Sequence, residues 1–354
     1  MNLNIIWMIF IPFIFVAIIM PTIKRIAVHV NALDIPNERK VHKVPIPRLG
    51  GLGIYLGFLL GYILFGYESI QMNSILIGSF IVILIGIIDD INSVQARYKF
   101  LGQLVAASIV TLYGGILLKD ISAFGLYINF GVLSPIITII FITAIMNCMN
   151  FIDGLDGLAG GISAIYFLMI GIISILFKSS GLDMILSFVL LGSTLGFLVH
   201  NFYPASIFMG DSGSLFLGYI IAIISLLGYK NVTFTSLIVP IFLLAIPILD
   251  TLFAIIRRLL KHESIAMPDK SHLHHQLLRL NFSIRKAVLV IYTIDILFAV
   301  ASIIYVTKNR PLGYIIYTLL FIIVLTVIFK TDIIRERKNK KEKTNRRKKW
   351  KELF

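Results

Sequence analysis

The chain is predicted to be all-α and to cross a membrane many times, and three observations carry that prediction. Of its 354 residues, 58% are hydrophobic and only 14% charged, and the mean hydropathy is +0.93. A soluble domain is usually about 45–50% apolar. Apolar runs recur along the whole length, many of them near the roughly 20 residues that a helix needs to cross a bilayer. Lipid admits only helices and closed barrels, because each backbone N–H and C=O must find its partner inside the protein.

The runs place about eleven transmembrane helices at 3–20, 50–66, 73–88, 100–118, 132–149, 158–177, 183–199, 213–228, 234–256, 287–306 and 312–330. The first, NIIWMIFIPFIFVAIIM, lacks a basic leader region and a small-residue cleavage site, and reads as a retained helix. The stretch 119–131, KDISAFGLYINFG, is too polar to span and reads as a short hairpin or loop. Residues 1–330 form one transmembrane domain, since the loops are too short to bury a second core, and 331–354 form a basic tail. The one cysteine, Cys148, excludes an internal disulfide and any multi-cysteine metal site.

Lysine and arginine mark cytoplasmic loops. With eleven spans, 27 of the 32 fall on one side, in 21–49, 89–99, 257–286 and from Lys330 onward. The other side holds Lys119, Lys178, Lys230, Lys308 and Arg310. This puts the N-terminus outside and the tail in the cytoplasm, and the net charge of +14 comes largely from this tail and the two basic loops. Attraction of the tail to anionic inner-leaflet lipid explains that charge. No nucleic-acid partner is expected.

The same parity gathers the chemistry at one membrane face. Asp89 and Asp90 end an apolar run in GIIDDINSVQARYKFLGQ, and Lys99 follows nine residues after Asp90. A solvated helix end is the plain reading of the pair. Adjacent carboxylates repel, however, and oppose the helix dipole, so a divalent cation or cationic partner would relieve them. In MNFIDGLDGLAGG, Asp153 and Asp156 stand three apart and share a face if a helical turn begins there. Helix capping accounts for Asp156. It leaves Asp153, Asn147, Asn150 and four glycines unexplained, and glycines let backbone approach a bulky anion. Asp211, in GDSGS, precedes another apolar run. Capping by Asp211 or Ser212 is compatible with a metal held there that bridges to a phosphate at the helix N-terminus.

His272, His274 and His275 share a basic loop with Arg257, Arg258, Lys261 and Lys270. No cysteine or nearby carboxylate set completes a tetrahedral zinc site, so anion binding or proton handling fits better. Asp250 and Asp295 fall inside predicted spans, where charge is expensive. Asp250 is placed to pair with a residue of the basic loop. Asp295 has no such account.

Carboxylates, cations and glycine-rich helix starts at a membrane surface suit a phosphate substrate, a hard cation and a lipid. Mg²⁺, with Mn²⁺ as its substitute, takes one or two carboxylates plus phosphate oxygens. A secondary transporter is the main alternative, but it would place its ionisable groups near the midplane, with inverted repeats. A lipid-binding scaffold would not need so many carboxylates.

These motifs, PNERKVHKVPIPRLGG, IDD…KFLGQ, NFIDGLDGLAGG, NFYPASIFMGDSGS, PILDTLFAIIRR and PDKSHLHH in order, resemble the polyprenyl-phosphate N-acetylhexosamine-1-phosphate transferase superfamily over nearly the whole chain. The resemblance implies Mg²⁺-dependent transfer of a sugar-1-phosphate from a UDP-sugar to undecaprenyl phosphate, with release of UMP, in a bacterial plasma membrane. By position it implies that Asp89, Asp90, Asp153 and Asp156 are catalytic, one of the first pair being the base for the lipid phosphate. It implies Asp211 as the metal ligand. Lys99, Asn150, Arg257, His272, His274 and His275 become substrate-binding residues. The muramoyl-pentapeptide branch has three histidines in a row where this chain has His274, His275 and Gln276. That departure and the IPRLGG stretch favour the N-acetylglucosamine branch, which primes teichoic acid or O-antigen, and UDP-N-acetylglucosamine as donor. A second copy of the chain is a candidate partner.

Overall fold

The computed structural model describes residues 2–36, 44–123, 126–230, 237–260, 272–307 and 310–330. The basic tail, Lys261, His262, Lys270 and part of the PNERKVHKV and PDKSHLHH stretches lie outside these residues. The described chain is all-α apart from two small hairpins. Among the described residues seven helices are long and apolar enough to cross a membrane: Asn4–His29, Ile70–Ile91, Gly131–Ile152, Leu158–Leu176, Leu182–Asn201, Gly210–Gly228 and Ile284–Thr307. Gly50–Phe65 and Arg310–Thr326 are shorter apolar helices. The protein is a polytopic membrane protein.

Helix α1 spans Asn2–His29, α2 Gly50–Phe65, α3 Ile70–Ile91 and α4 Ala96–Ser108. A π-helical turn, Ile109–Tyr113, extends α4. Next come α5 Ser134–Ile152, α6 Leu158–Leu176, α7 Leu182–Asn201 and α8 Gly210–Lys230. Short α9, Ile238–Leu243, leads into α10, Ala245–Leu260; then α11 Leu273–Arg279, α12 Ile284–Thr307 and α13 Arg310–Lys330 follow. The predicted span at 234–256 is therefore broken, at Leu244. Pro247 lies in the first turn of α10, where its missing N–H leaves no internal bond unmade and its ring disfavours helix before it. The polar stretch after the π-turn forms the expected hairpin, with β3, Asp120–Ala123, antiparallel to β4, Leu126–Asn129.

Helix α8 is the hub. It packs against α2, α3 and α5, and its residues 220–224 are fully buried. At the end where α8 starts, α3 comes so close that a Cβ on Gly86 would collide with the Ser212 backbone. No residue but glycine fits there, and this contact sets the next turn of α3, with Asp89 and Asp90, beside the start of α8.

The α1–α2 connection adds a second layer at that end. Strands β1, Leu33–Asp34, and β2, Ile46–Pro47, pair antiparallel. The chain after β2 also bonds to the segment before α8: Phe208 N–H donates to the Pro47 carbonyl at 2.7 Å, and Gly50 N–H to the Phe208 carbonyl at 2.9 Å. Arg48 is thus held by backbone on both sides.

Candidate active site

A cavity of about 740 Å³ opens where these elements meet. Asn150 comes from the last turn of α5, Asp153 caps its C-terminus, and Asp156 lies in the turn before α6. Asp211 comes from the first turn of α8, Arg48 and Asp34 from the β1–β2 layer, and His275 from α11. Apolar wall is supplied by Val44, Ile46, Phe208 and Ile284.

Of the site residues read from the sequence, Asn150, Asp153, Asp156, Asp211 and His275 line this cavity. Asp89, Asp90 and Lys99 sit directly behind Asp211. Lys99 Nζ is 3.0 Å from Asp89 Oδ2 and closer still to Asp211 Oδ2. Asp89 also accepts the Val94 N–H at 2.8 Å. His272, His274 and Arg257 are buried and do not line the cavity.

Two capping expectations are corrected. The start of α8 is not capped by Asp211 or Ser212 but by Asp90, from α3. Its Oδ1 accepts the Asp211 N–H at 2.9 Å; its Oδ2 accepts the Ser212 N–H at 3.1 Å and the Ser212 hydroxyl at 2.6 Å. The dipole conflict at the end of α3 is thereby resolved, because a carboxylate unfavourable at one helix C-terminus serves the N-terminus of another. Nor does Asp156 cap α6. That helix has Gly157 at its N-cap with no side-chain bond, while Asp156 Oδ2 accepts the Ala205 N–H at 2.9 Å. Asp153 and Asp156 do not share a helical face, since α5 ends between Ile152 and Asp153; the turn itself brings both to the cavity.

The residue missed by the sequence reading is Arg48. Its Nε and Nη2 both lie 3.1 Å from Asp90 Oδ1, its Nη1 is 3.6 Å from Asp34, and its Nη2 is 3.9 Å from Asp211 Oδ1. Burial alone would lower its pKa, but Asp90, Asp211 and Asp34 outweigh that and raise it. Among the described lining residues it is the one fixed positive charge. The signal was present in IPRLGG, an arginine between Pro47 and a Gly-Gly helix start, on the same predicted face as the carboxylates.

Asp211 therefore stands between the cavity and a charged pair behind it. Oδ1 faces Arg48 and the cavity, and Oδ2 faces Lys99 and Asp89. Asp153 has no hydrogen-bond partner among the described residues. Burial, then the charges of Asp211 and Asp90, push its pKa up to about 8, against the pull of Arg48. Burial also drives His274 down to about 3, helped by its neighbour His275.

The donor set fits a hard cation. Asp153 and Asp211 offer carboxylate oxygens to one space and repel each other across it, which a divalent ion would reverse. No three His, Cys, Asp or Glu residues among those described are grouped to hold an ion unaided.

Fold and cavity together define a polytopic membrane protein with a carboxylate-and-arginine site at one end of its helix bundle. Residues 72–229 match the family model described as Glycosyl transferase family 4. A probable undecaprenyl-phosphate N-acetylglucosaminyl 1-phosphate transferase of Bacillus subtilis is 43% identical, over 89% of this chain and 87% of its own length. A decaprenyl-phosphate N-acetylglucosaminephosphotransferase of Mycolicibacterium smegmatis is 36% identical over 76% and 74%. An undecaprenyl-phosphate alpha-N-acetylglucosaminyl 1-phosphate transferase of Escherichia coli O157:H7 is 27% identical over 79% and 78%. The chain belongs to glycosyl transferase family 4, the polyprenyl-phosphate N-acetylhexosamine-1-phosphate transferases that its motifs resemble.

Proposed function

We propose that the protein transfers N-acetylglucosamine-1-phosphate from UDP-N-acetylglucosamine to undecaprenyl phosphate and releases UMP. The observation that carries this reading is Asp211, which stands between a cavity lined by Arg48, Asn150, Asp153 and Asp156 and the Lys99–Asp89 pair behind it. Two phosphate substrates that must meet each need a cation, and Arg48 and Lys99 flank Asp211 on either side.

The donor occupies the cavity. Arg48 presents a planar fork suited to two oxygens of its diphosphate. Asn150, tied through Nδ2 to Ser214 Oγ at 2.9 Å, has its amide oxygen left to orient the nucleotide. The acceptor phosphate approaches Lys99 along α4, whose Tyr98, Phe100, Leu101 and Val105 are exposed apolar surface for a prenyl chain. One acceptor oxygen attacks the phosphorus that bears the sugar; the new P–O bond forms as the P–O bond to UMP breaks, in line. Asp90 is fully engaged in the cap, so Asp89 is the member of the pair placed to orient the acceptor or take a proton from it. Asp211 and Asp153 would hold Mg²⁺, which lowers the repulsion between the two phosphates.

The excess of Lys and Arg in one set of loops supports eleven crossings, an external N-terminus, a cytoplasmic site in a bacterial plasma membrane and a tail against anionic lipid. Priming of teichoic acid or O-antigen is the use this product chemistry suits.

The test is UMP release by purified protein in detergent, with undecaprenyl phosphate, Mg²⁺ and each of UDP-N-acetylglucosamine, UDP-N-acetylgalactosamine and UDP-N-acetylmuramoyl-pentapeptide. Turnover with the first should dominate. Sites built to hydrogen-bond a substrate group reject analogues lacking it by about 10⁴–10⁵. Preference for the pentapeptide overturns the branch; no release with any donor from folded protein overturns the activity.

A further inference from the structure

Asp250 has no part in the transfer described above, yet it is 4% exposed and fully engaged. Its Oδ2 lies 2.8 Å from His272 Nδ1, and its Oδ1 accepts the Leu273 N–H at 2.8 Å. One carboxylate on α10 thus grips both the side chain and the backbone at the entry to α11.

From His272 the contact runs on to the cavity. Its ring is parallel to that of His274, 3° apart, with centroids 5.6 Å apart. His274 presses on Gly154, where a Cβ would collide with its Nε2. Gly154 separates Asp153 from the turn that carries Asp156. Both ring nitrogens of His274 are buried without a hydrogen-bond partner among the described residues. Among those residues its ring is placed by the stack and by the backbone of α11. His275, its centroid 4.2 Å from that of His274, lines the cavity. Helix α11 has seven residues, too few to be stable alone.

We propose that Asp250 is a positioning residue: by clamping His272 and the Leu273 N–H it seats His274 against Gly154, beside the cavity aspartates, and His275 in the cavity wall. The kinetic part of this inference rests on the transfer reading; the structural part does not.

The experiment compares Asp250→Ala and Asp250→Asn with the wild type, all full-length in detergent. Asparagine keeps the clamp, because its carbonyl accepts the Leu273 N–H while its amide donates to Nδ1 of His272 in the other tautomer. Alanine removes both bonds. Asp250→Ala should raise KM for the donor by about 10–100-fold, the scale of a small misplacement of a binding group, and leave KM for undecaprenyl phosphate unchanged. Amide hydrogen exchange over residues 273–279 should accelerate in Asp250→Ala and stay near wild type in Asp250→Asn. Exchange needs no turnover, so it judges the clamp even if the wild type releases no UMP. Unchanged exchange in Asp250→Ala, equal rises in both KM values, or an Asp250→Asn protein as impaired as Asp250→Ala would each overturn the proposal. If Asp250→Ala does not fold, His272→Ala replaces it. It keeps the bond to Leu273 and should still loosen His274 and raise the donor KM; wild-type kinetics there overturn the proposal equally.

Discussion

Asp90 and Ser212, 122 residues apart in sequence, are joined by a 2.6 Å hydrogen bond that ties the end of one membrane helix to the start of another. The same carboxylate takes two backbone N–H groups of α8 and two nitrogens of Arg48. Asp90→Ala would strip all of these at once. Removing one partner of a buried ion pair costs about 3–5 kcal/mol. A marked fall in melting temperature in detergent is expected, with transfer lost as a consequence. Asp90→Asn should fall less, since its carbonyl still accepts from α8. An Asp90→Ala protein that melts like the wild type would remove Asp90 from the joint.

Arg48→Lys is predicted to be far from conservative. An ammonium cannot reach Asp90, Asp34 and Asp211 together, nor give a diphosphate two parallel bonds. Affinity for UDP-N-acetylglucosamine should drop about 10–100-fold, given roughly 1.5–3 kcal/mol for a hydrogen bond to a charged group. Titration of the donor against the wild-type and Arg48→Lys proteins measures it. Equal affinities would place the diphosphate elsewhere.

The helical, many-spanning character was legible because apolar runs in lipid have no other regular structure available. The gathering of Asp89, Asp153, Asp156 and Asp211 at one end followed from loop parity, and the pairing of Asp250 with the basic loop from the cost of a buried charge. What stayed hidden are contacts between distant segments. Asp90 and Asp211 looked alike as helix-end carboxylates, and only the approach of α3 to α8 at Gly86 separates the cap from the residue that lines the cavity. Arg48 was one basic loop residue among several until backbone bonds between its neighbours and Phe208 fixed it. Asp295 remains without an account; it is fully buried and neither oxygen has a hydrogen-bond partner among the described residues.

His274 gives a pH prediction. Burial holds it down to about 3 in the folded protein, whereas an imidazole in an unfolded chain titrates near about 6.5. Between these values the unfolded chain binds a proton that the folded protein does not. This contribution to stability is complete above about pH 6.5 and is lost as pH falls toward 3, at no more than about 1.4 kcal/mol per unit. His274→Phe keeps a ring against Gly154 and removes the titration. Its melting temperature should decline less steeply than the wild type's from pH 7 to pH 4.5. Parallel curves would mean that His274 is solvated and not wedged.

Asp211→Asn should separate chemistry from architecture more cleanly than any change at Asp90. The bond that caps α8 uses the backbone N–H of Asp211, which the substitution leaves in place. Lys99 keeps Asp89 at 3.0 Å, and Arg48 keeps Asp90 at 3.1 Å, so neither cation is left alone. The melting temperature should therefore move little. What disappears is the negative charge between Arg48 and Lys99, and with it the carboxylate opposite Asp153. A neutral amide is a poor ligand for Mg²⁺ and cannot hold Lys99 toward the cavity. Loss of partners one shell out from a metal typically costs about 10–100-fold, so loss of the ligand itself should lower turnover by at least about 100-fold, even at saturating Mg²⁺. Chelation of divalent ions from the wild type should produce a loss of the same order, and the Asp211→Asn protein should lose little more when chelated. Near wild-type turnover in the Asp211→Asn protein would place the reacting phosphates away from Asp211, and full activity of the wild type in excess chelator would exclude the metal.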